Sequence, residues 1–216
     1  MDLALRSLPF LVDGLRVTLL VSGVVVVLSL ALGLLLGAAL TFGPAPLRWP
    51  VRFYSDVVRG IPILVLIFFV YYGLPAAGLN LDSMAAAVAA LTLFKTAQVA
   101  EIVRGAFQSI PKGQTEAGKA IGLVFRQRLA YILIPQATRR FIPPFINSVV
   151  DAVKGSALVS LVGVVDLMQA IQQVVGRTYQ PLPVYVTGAL IYFAINYALS
   201  LLARRLEARF AYIRNL

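Results

Sequence analysis

Cysteine and histidine are both absent from this chain of 216 residues, and only 13% of its residues are charged. The absence of cysteine excludes disulfides and thiolate metal sites. The absence of histidine removes the commonest general base and the commonest metal ligand. Carboxylates that could replace histidine in these roles are not clustered along the sequence. We therefore predict no catalytic residues and no metal site, and we expect that the chain is not an enzyme.

Apolar residues, by contrast, make up 60% of the chain, and the mean hydropathy is +0.87. A soluble domain carries roughly 45–50% apolar and about 25% charged residues, so lipid is the natural solvent for this composition. The length allows several spanning helices within one transmembrane domain over residues 1–216. The net charge of +10 could indicate a nucleic-acid partner. The charges lie in short segments between apolar runs, however, where they set orientation in a membrane.

Five apolar runs predict an all-α polytopic membrane protein with about five transmembrane helices. Gly43 and Pro44 end the first run, and Gly33 and Gly37, four residues apart, permit close contact with another helix. The second run is long enough to span only if it includes part of the polar link before it. The runs cover residues 15–42, 61–74, 84–107, 141–167 and 184–203.

Lysine and arginine concentrate in the segments after the first, third and fifth runs, whereas the segments after the second and fourth contain only Arg177. Positively charged loops of membrane proteins remain in the cytoplasm. We therefore expect the N-terminus outside and the C-terminus in the cytoplasm, although Arg6 and Arg16 oppose this orientation. The cations that favour it are Arg48, Arg52, Lys112, Lys119, Arg126, Arg128, Arg139, Arg140, Arg204, Arg205, Arg209 and Arg214.

The polar segment 109–135 is the most informative part of the chain. It predicts a short helix, a break at Gly122, a second short helix and a stop near Pro135. Glu116 falls in an early turn of the first helix, where a carboxylate suits the helix dipole. The pattern fits an ordinary amphipathic linker, and it also fits a docking surface for a cytoplasmic partner. The chain has no Gly-x-x-x-x-Gly-Lys-Ser/Thr loop, so we predict no cofactor and no ATP site of that kind.

The same segment resembles the EAA motif of ABC importer permeases, which runs Glu-Ala-Ala, three residues, Gly, nine residues, Ile, one residue, Leu-Pro. Two positions depart mildly from the motif, since Gly118 replaces the second Ala and Ile134 replaces Leu. The resemblance implies that residues 109–135 form a coupling-helix pair that docks into a groove of a separate ATP-binding subunit. The positions in register are Glu116, Ala117, Gly122, Ile132 and Pro135.

Several stretches, in the right order, resemble the polar amino acid uptake subfamily of these permeases, and the similarity covers residues 14–207. It implies a type I importer fold, two cytoplasmic ABC ATPase subunits that bind the ATP, and a second permease subunit, identical or a sister chain. It also implies an extracytoplasmic amino-acid-binding protein and a place in the bacterial plasma (inner) membrane. The stretches are Arg59-Gly-Ile-Pro-Ile-Leu-Val, Ala100-Glu-Ile-Val-Arg-Gly, Ser109-Ile-Pro-Lys-Gly-Gln-Thr-Glu-Ala, Leu133-Ile-Pro-Gln-Ala and Leu158-Val-Ser-Leu-Val-Gly-Val-Val-Asp-Leu.

Polar and charged side chains also lie inside the third and fourth runs, at spacings of three and four that place them on one helix face. Glu101 with Arg104, and Asp151 with Lys154, could be structural ion pairs. The functional interpretation is a site near the membrane midplane, where a protein cation and anion replace the lost hydration of a zwitterion. The predicted substrate-binding residues are Lys95, Gln98, Glu101, Arg104, Asn147, Asp151 and Lys154.

The cations inside the runs outnumber the anions, which favours a substrate that carries a carboxylate. Gly155 stands where the subfamily often has an acidic or amide side chain, and this disfavours a cationic substrate. We therefore expect a permease for acidic or neutral polar amino acids that works by alternating access. The alternative is an ion-gradient-driven secondary transporter of small polar solutes, which would also use buried charges, but no clear repeat is visible.

Overall fold

The computed structural model describes residues 2–211, and within them the side chains of residues 7–205. This part of the chain is helical and contains no strand, as the prediction of an all-α protein required. A single transmembrane domain over residues 1–216 stays a prediction. The helices are α1 (Asp2–Phe42), α2 (Ala45–Gly60), α3 (Ile63–Ala76), α4 (Ser83–Gln108), α5 (Lys112–Ala120), α6 (Phe125–Val162), α7 (Leu167–Thr178) and α8 (Pro181–Ala211).

Four helices are long and apolar enough to cross a membrane, namely α1, α4, α6 and α8. The bent pair α2–α3 makes a fifth if it counts as one span. The prediction of about five transmembrane helices is therefore confirmed. The orientation of the termini stays a prediction. Three of the cations considered for it, Arg6, Arg209 and Arg214, lie outside the described side chains, as does Glu207 at the end of the similarity.

Helices α1 and α4 pack closely because glycines on α1 leave room for valines on α4. A Cβ atom built on Gly33 would lie 2.5 Å from Cβ of Val99, and one on Gly37 would lie 2.5 Å from Cβ of Val103. These separations are far below van der Waals contact, so only glycine permits the observed approach. The close contact predicted for both glycines is confirmed, and α1 ends at Phe42, just before Gly43 and Pro44.

The polar link after α1 is itself a helix, which the sequence analysis did not predict. Val51, Ser55 and Val58 of α2 form a buried stripe, while its charged residues face outward. The hydroxyl of Tyr54 donates a 2.6 Å hydrogen bond to the carbonyl of Leu93 on α4. Pro62 disfavours helical geometry at the residue before it, so the chain turns by 107° between α2 and α3.

The central core joins helices that are distant in sequence. Val21 of α1, Ile67 of α3 and Ala87 of α4 are completely buried against one another, together with Val159 near the end of α6. The 3-10 turn Ser156–Val162 closes α6, and Gly163 follows it with φ +86°. The fourth span therefore ends before residue 167, the predicted end.

The segment 109–135 contains α5 and the first turns of α6, so the prediction of a second short helix that stops near Pro135 was wrong. Pro135 lies inside α6, which continues to Val162. The widened π-helical turn Leu129–Leu133 comes directly before it. A proline ring normally clashes with the carbonyl four residues back, and here that carbonyl lies within the widened turn. The helix that contains the fourth span consequently begins at Phe125 and not at residue 141.

The polar segment between α6 and α8 is mostly helical as well. Asp166 precedes α7, and its side chain accepts a 2.9 Å hydrogen bond from the backbone N–H of Gln169. The carboxyl group of Asp166 is fully buried, and this burial raises its pKa to about 6. The apolar face of α7, with Leu167 and Ile171, packs on Leu11 of α1 and on α8.

Candidate functional site

A cavity of about 530 Å³ lies between the inner faces of α4 and α6, at the end of α2. It unites four of the seven residues predicted to bind substrate. The others lie beside it or beyond its wall. Its lining side chains are Arg59, Gln98, Glu101, Ile102, Pro144, Asn147, Ser148 and Asp151.

Glu101 is the most constrained charged group of the cavity. Arg104 donates to its Oε2 atom through Nη2 at 2.6 Å and through Nε at 2.9 Å. Nη1 of Arg59 is 3.8 Å from the same oxygen, so cations on two helices share one carboxylate. Arg104 also donates to Gln108 at 2.6 Å and points away from the cavity. The structural ion pair considered for Glu101 and Arg104 is present, and their role in substrate binding stays a prediction.

On α6, Asp151 and Asn147 face the cavity, whereas Lys154 does not line it. Nζ of Lys154 is 3.7 Å from Oδ1 of Asp151, and both side chains are more than half exposed on the single chain. This pair is therefore looser than the pair on α4, and the Asp151 carboxylate is free to meet a ligand. An exposed pair of this kind contributes only about 0–1 kcal/mol to stability.

Lys95 is the only lysine of α4, and it is buried beside the cavity and does not line it. Its ammonium group donates a 2.9 Å hydrogen bond to Oε1 of Gln98. Gln98 in turn reaches the cavity wall, so Lys95 is placed to orient this amide. A direct role of Lys95 in substrate binding stays a prediction.

Arg59 is the site residue that the sequence analysis missed. The sequence placed it in the polar link before the second run, for which no helix was predicted, but it sits in the last turn of α2 and is 45% exposed toward the cavity. It is the only arginine or lysine among the cavity's lining side chains in the described part of the chain. The signal that could have revealed it is the amphipathic period of α2, which predicts a helix with Arg59 in its last turn, next to the buried Val58.

The second predicted functional region, residues 109–135, is a largely exposed segment between α4 and the rest of α6, and is called the projection below. Helix α5 ends at Ala120, and Gly122 adopts φ +80°. The N–H of Gly122 donates to the carbonyl of Lys119 at 2.9 Å, and the N–H of Leu123 donates to that of Gly118 at 3.0 Å. This pair of bonds is a Schellman cap, and the break predicted at Gly122 is confirmed.

The predicted coupling residues occupy different places on this projection. Gly118 is buried, and a Cβ atom there would lie 2.9 Å from Cδ1 of Ile132, which fixes α5 against α6. Glu116 and Ala117 are exposed, and Glu116 lies beyond the first turn of α5. Pro135 lies in the first turn after the widened segment of α6. Their docking role stays a prediction.

Side-chain hydrogen bonds hold the projection on the bundle. The amide of Gln136 on α6 donates to Oε1 of Gln114 on α5 at 3.1 Å. Arg140 donates to the carbonyl of Ser109, the residue that follows α4. Both hydrogen bonds come from α6, which is one wall of the cavity, and residues 109–111 connect α5 directly to α4, the other wall.

Comparison of the sequence with known proteins identifies relatives along nearly the whole chain. Residues 29–212 match the family described as binding-protein-dependent transport system inner membrane component. The probable glutamine ABC transporter permease protein GlnP of Bacillus subtilis (strain 168) is 38% identical over 94% of this chain and 95% of its own length. The glutamine transport system permease protein GlnP of Escherichia coli (strain K12) is 36% identical over 94% of each chain. The arginine transport system permease protein ArtQ of Bacillus subtilis (strain 168) is 33% identical over 94% of this chain and 93% of its own.

Solved structures share the architecture. A chain of an amino acid ABC transporter, crystallised with histidines, superposes with a TM-score of 0.91 at 31% identity, covering 95% of this chain and 96% of that one. The MetNI methionine ABC transporter, at 23% identity and a TM-score of 0.78 over 93% and 96% of the two chains, shows the fold alone. These matches confirm the type I importer fold and give no support to a secondary transporter. The chain belongs to the family of binding-protein-dependent transport system inner membrane components.

Proposed function

We propose that the chain is the permease subunit of an ATP-driven importer of polar amino acids, with neutral amino acids such as glutamine as its substrates. Two copies, or one copy and a sister chain, enclose the path. A binding protein delivers the amino acid from outside, and two ATPase subunits in the cytoplasm bind the ATP. The chain itself carries out no covalent chemistry.

The observation that carries the proposal is the arrangement of charge around the cavity, in a chain whose relatives include glutamine permeases. Arg59 provides a cation and Asp151 provides an anion from different helices. A free amino acid presents a carboxylate and an ammonium group, which such a pair can bind while the water is removed. Gln98 and Asn147 add amide groups, which can donate to and accept from a polar side chain.

The same charges favour a neutral over an acidic substrate. Two carboxylates, Glu101 and Asp151, face the cavity, and both have cations close by. A glutamate substrate would add a second carboxylate beside them, at the cost of like-charge repulsion. A glutamine side chain has the same length and no charge, so it avoids this repulsion.

The projection 109–135 is proposed as the element that the ATPase subunit binds and through which it moves the permease. It is capped at Gly122, packed through Gly118, tied to α6 by two hydrogen bonds and joined to α4 by the chain itself. A displacement of α5 by the ATPase would therefore change the separation of α4 and α6. This arrangement converts ATP binding into alternating access, with the projection and the C-terminus on the cytoplasmic side.

An uptake experiment tests the proposal. The complex of permease, ATPase and binding protein is reconstituted in liposomes, and uptake of labelled glutamine is measured with a panel of unlabelled amino acids. We expect glutamine and asparagine to compete, and glutamate, arginine and lysine to compete weakly. Competition by arginine but not by asparagine would contradict the proposed substrate class.

Variants of the cavity locate the site. Asp151→Asn removes the carboxylate proposed to bind the ammonium group, so we expect glutamine uptake to fall about tenfold or more. Asp13→Asn is the matched control, since Asp13 is 66% exposed and lies far from the cavity in sequence and on another helix. Equal uptake by the two variants would remove Asp151 from the site.

A further inference from the structure

A second, smaller cavity lies on the other side of Glu101. This groove has a volume of about 320 Å³ and is bounded by the first turns of α2 and the last turns of α4. By the proposed orientation it opens to the cytoplasm. Its polar lining consists of Arg48, Arg52, Arg104, Gln108 and Glu101, and Trp49 forms part of its rim.

The sign of charge reverses between the two cavities. The substrate cavity has one arginine and two carboxylates in its lining, whereas the groove has three arginines and one carboxylate. That one carboxylate, Glu101, is already held by Arg104 at 2.6 Å. Arg52 has only a long contact of 3.8 Å to Asp56, and both of these side chains are mostly exposed. Among the described residues, Arg48 has no ion pair or side-chain hydrogen bond. The groove therefore has unneutralised positive charge.

The backbone adds to this positive potential. Helix α2 begins in the groove at Ala45, and Pro44 before it provides no side-chain cap. The helix has 16 residues, so its dipole is aligned over several turns and its positive end lies at the groove. Two arginine side chains one helical turn apart, Arg48 and Arg52, together with this helix end, form a site suited to a carboxylate.

Glu101 is the common wall of both cavities, and Arg59 and Arg104 lie on its two sides. We propose that the groove is a second substrate site, in which Arg48 and Arg52 receive the carboxylate of the transported amino acid after it passes Glu101. The proposal rests on the proposed function, because it takes the amino acid as the ligand. The first site retains the ammonium group and the second attracts the carboxylate, so the amino acid enters the groove with its carboxylate leading.

The chain provides a reporter for this site. Trp49 is the only tryptophan of the sequence, lines the groove and is 73% exposed. The full permease chain in detergent micelles is titrated with L-glutamine while the tryptophan emission is recorded. We expect a saturable change in emission. L-glutaminamide, which retains the ammonium group and side chain but lacks the carboxylate, is expected to give no such change.

Charge-removing variants identify the residues. Arg48→Gln and Arg52→Gln are each expected to raise the apparent Kd for glutamine about tenfold. The double variant is expected to show no change in tryptophan emission. Arg16→Gln, an exposed arginine near the start of α1, is the matched control and should titrate like the wild type. Both substituted residues of the groove lie on the surface, and size-exclusion chromatography checks that the variants remain folded.

Three results would overturn the proposal: no response of the wild type, an equal response to glutaminamide, or an unchanged Kd in the double variant. A fourth would assign the groove to lipid. If phosphatidylglycerol, but not phosphatidylcholine, in the micelles suppresses the glutamine response, the arginines bind a lipid phosphate. Uptake by the reconstituted complex separates the two proposals. Glutamine uptake without a Trp49 response refutes the groove site alone, whereas a complex without glutamine uptake refutes the proposed function.

Discussion

Replacement of Gly33 by alanine tests the contact on which the bundle depends. The added Cβ would lie 2.5 Å from both Cβ and Cγ1 of Val99, and 3.3 Å from the backbone nitrogen of Ala100. Carbon atoms in contact are separated by about 3.5–4.0 Å, so α1 and α4 must move apart by roughly 1 Å. Cβ and Cγ1 of a valine on a helix cannot rotate away, because one rotamer is strongly preferred there.

The expected loss follows from the size of this overlap. Inserting one carbon into a packed interface costs about 1–3 kcal/mol. A change of 1 kcal/mol shifts the melting temperature of a protein of this size by roughly 2–4 °C, so Gly33→Ala should melt roughly 2–12 °C below a glycine-to-alanine variant of the same helix that meets no neighbour. Gly37→Ala, whose Cβ would lie 2.5 Å from Cβ of Val103, should behave in the same way.

The assay is thermal unfolding of the purified permease in one detergent, followed by circular dichroism. Gly23→Ala is the matched control on the same helix, because no atom lies within 4 Å of a Cβ at that position. Alanine is also the better helix former by about 1 kcal/mol, so this variant should melt at or above the wild-type temperature. Equal melting temperatures for Gly33→Ala and Gly23→Ala would refute the close contact between α1 and α4.

Three further predictions concern the projection and the buried carboxyl group. Gly122→Ala places a side chain at φ +80°, which costs about 1–2 kcal/mol and loosens the end of α5. Substrate-stimulated ATPase activity should therefore fall. Gly113→Ala is the control, because a Cβ atom at Gly113 meets open space, and this variant should retain the activity. Gly118→Ala should retain that activity, since only the flexible ends of side chains must move, whereas Gly118→Leu should lose it. For Asp166 the native pKa, about 6, lies above the ordinary value of 3.8, so its stabilising contribution is complete below pH 4 and lost as the pH rises through 6. Asp166→Asn, which retains a capping oxygen, should not lose stability over that range. Melting curves of the wild type and the variant from pH 4 to 7 test this, and a difference in melting temperature that stays constant with pH would refute it.

The spans were predictable because long apolar runs admit few interpretations, and the contact at Gly33 and Gly37 followed from their spacing. The helix α2 was missed because its buried stripe, Val51, Ser55 and Val58, is narrow, includes a polar serine and is interrupted by Pro50 and by charges. A count of apolar residues registers such a segment as polar, whereas its period reveals a helix. Packing against α4 then stabilises it, which no local pattern shows.

The candidate site was predicted in part for a related reason. Gln98 and Glu101, or Asn147 and Asp151, share a helix face by their spacing, so each half of the cavity was visible in the sequence. Arg59 comes from a third helix, and the packing of α2 on α4, which no spacing in the sequence shows, brings it within 3.8 Å of Glu101. The stop expected at Pro135 failed because a widened turn accommodates the proline, and nothing in the residue types marks that turn.

The dependence of uptake on ATP tests the central claim most directly. Labelled glutamine uptake is measured in liposomes that contain the permease, its ATPase and its binding protein, with and without ATP, and with ionophores that abolish ion gradients. We predict uptake only with ATP and the binding protein, and no effect of the ionophores. Uptake by the permease alone, driven by a sodium or proton gradient without ATP, would contradict it.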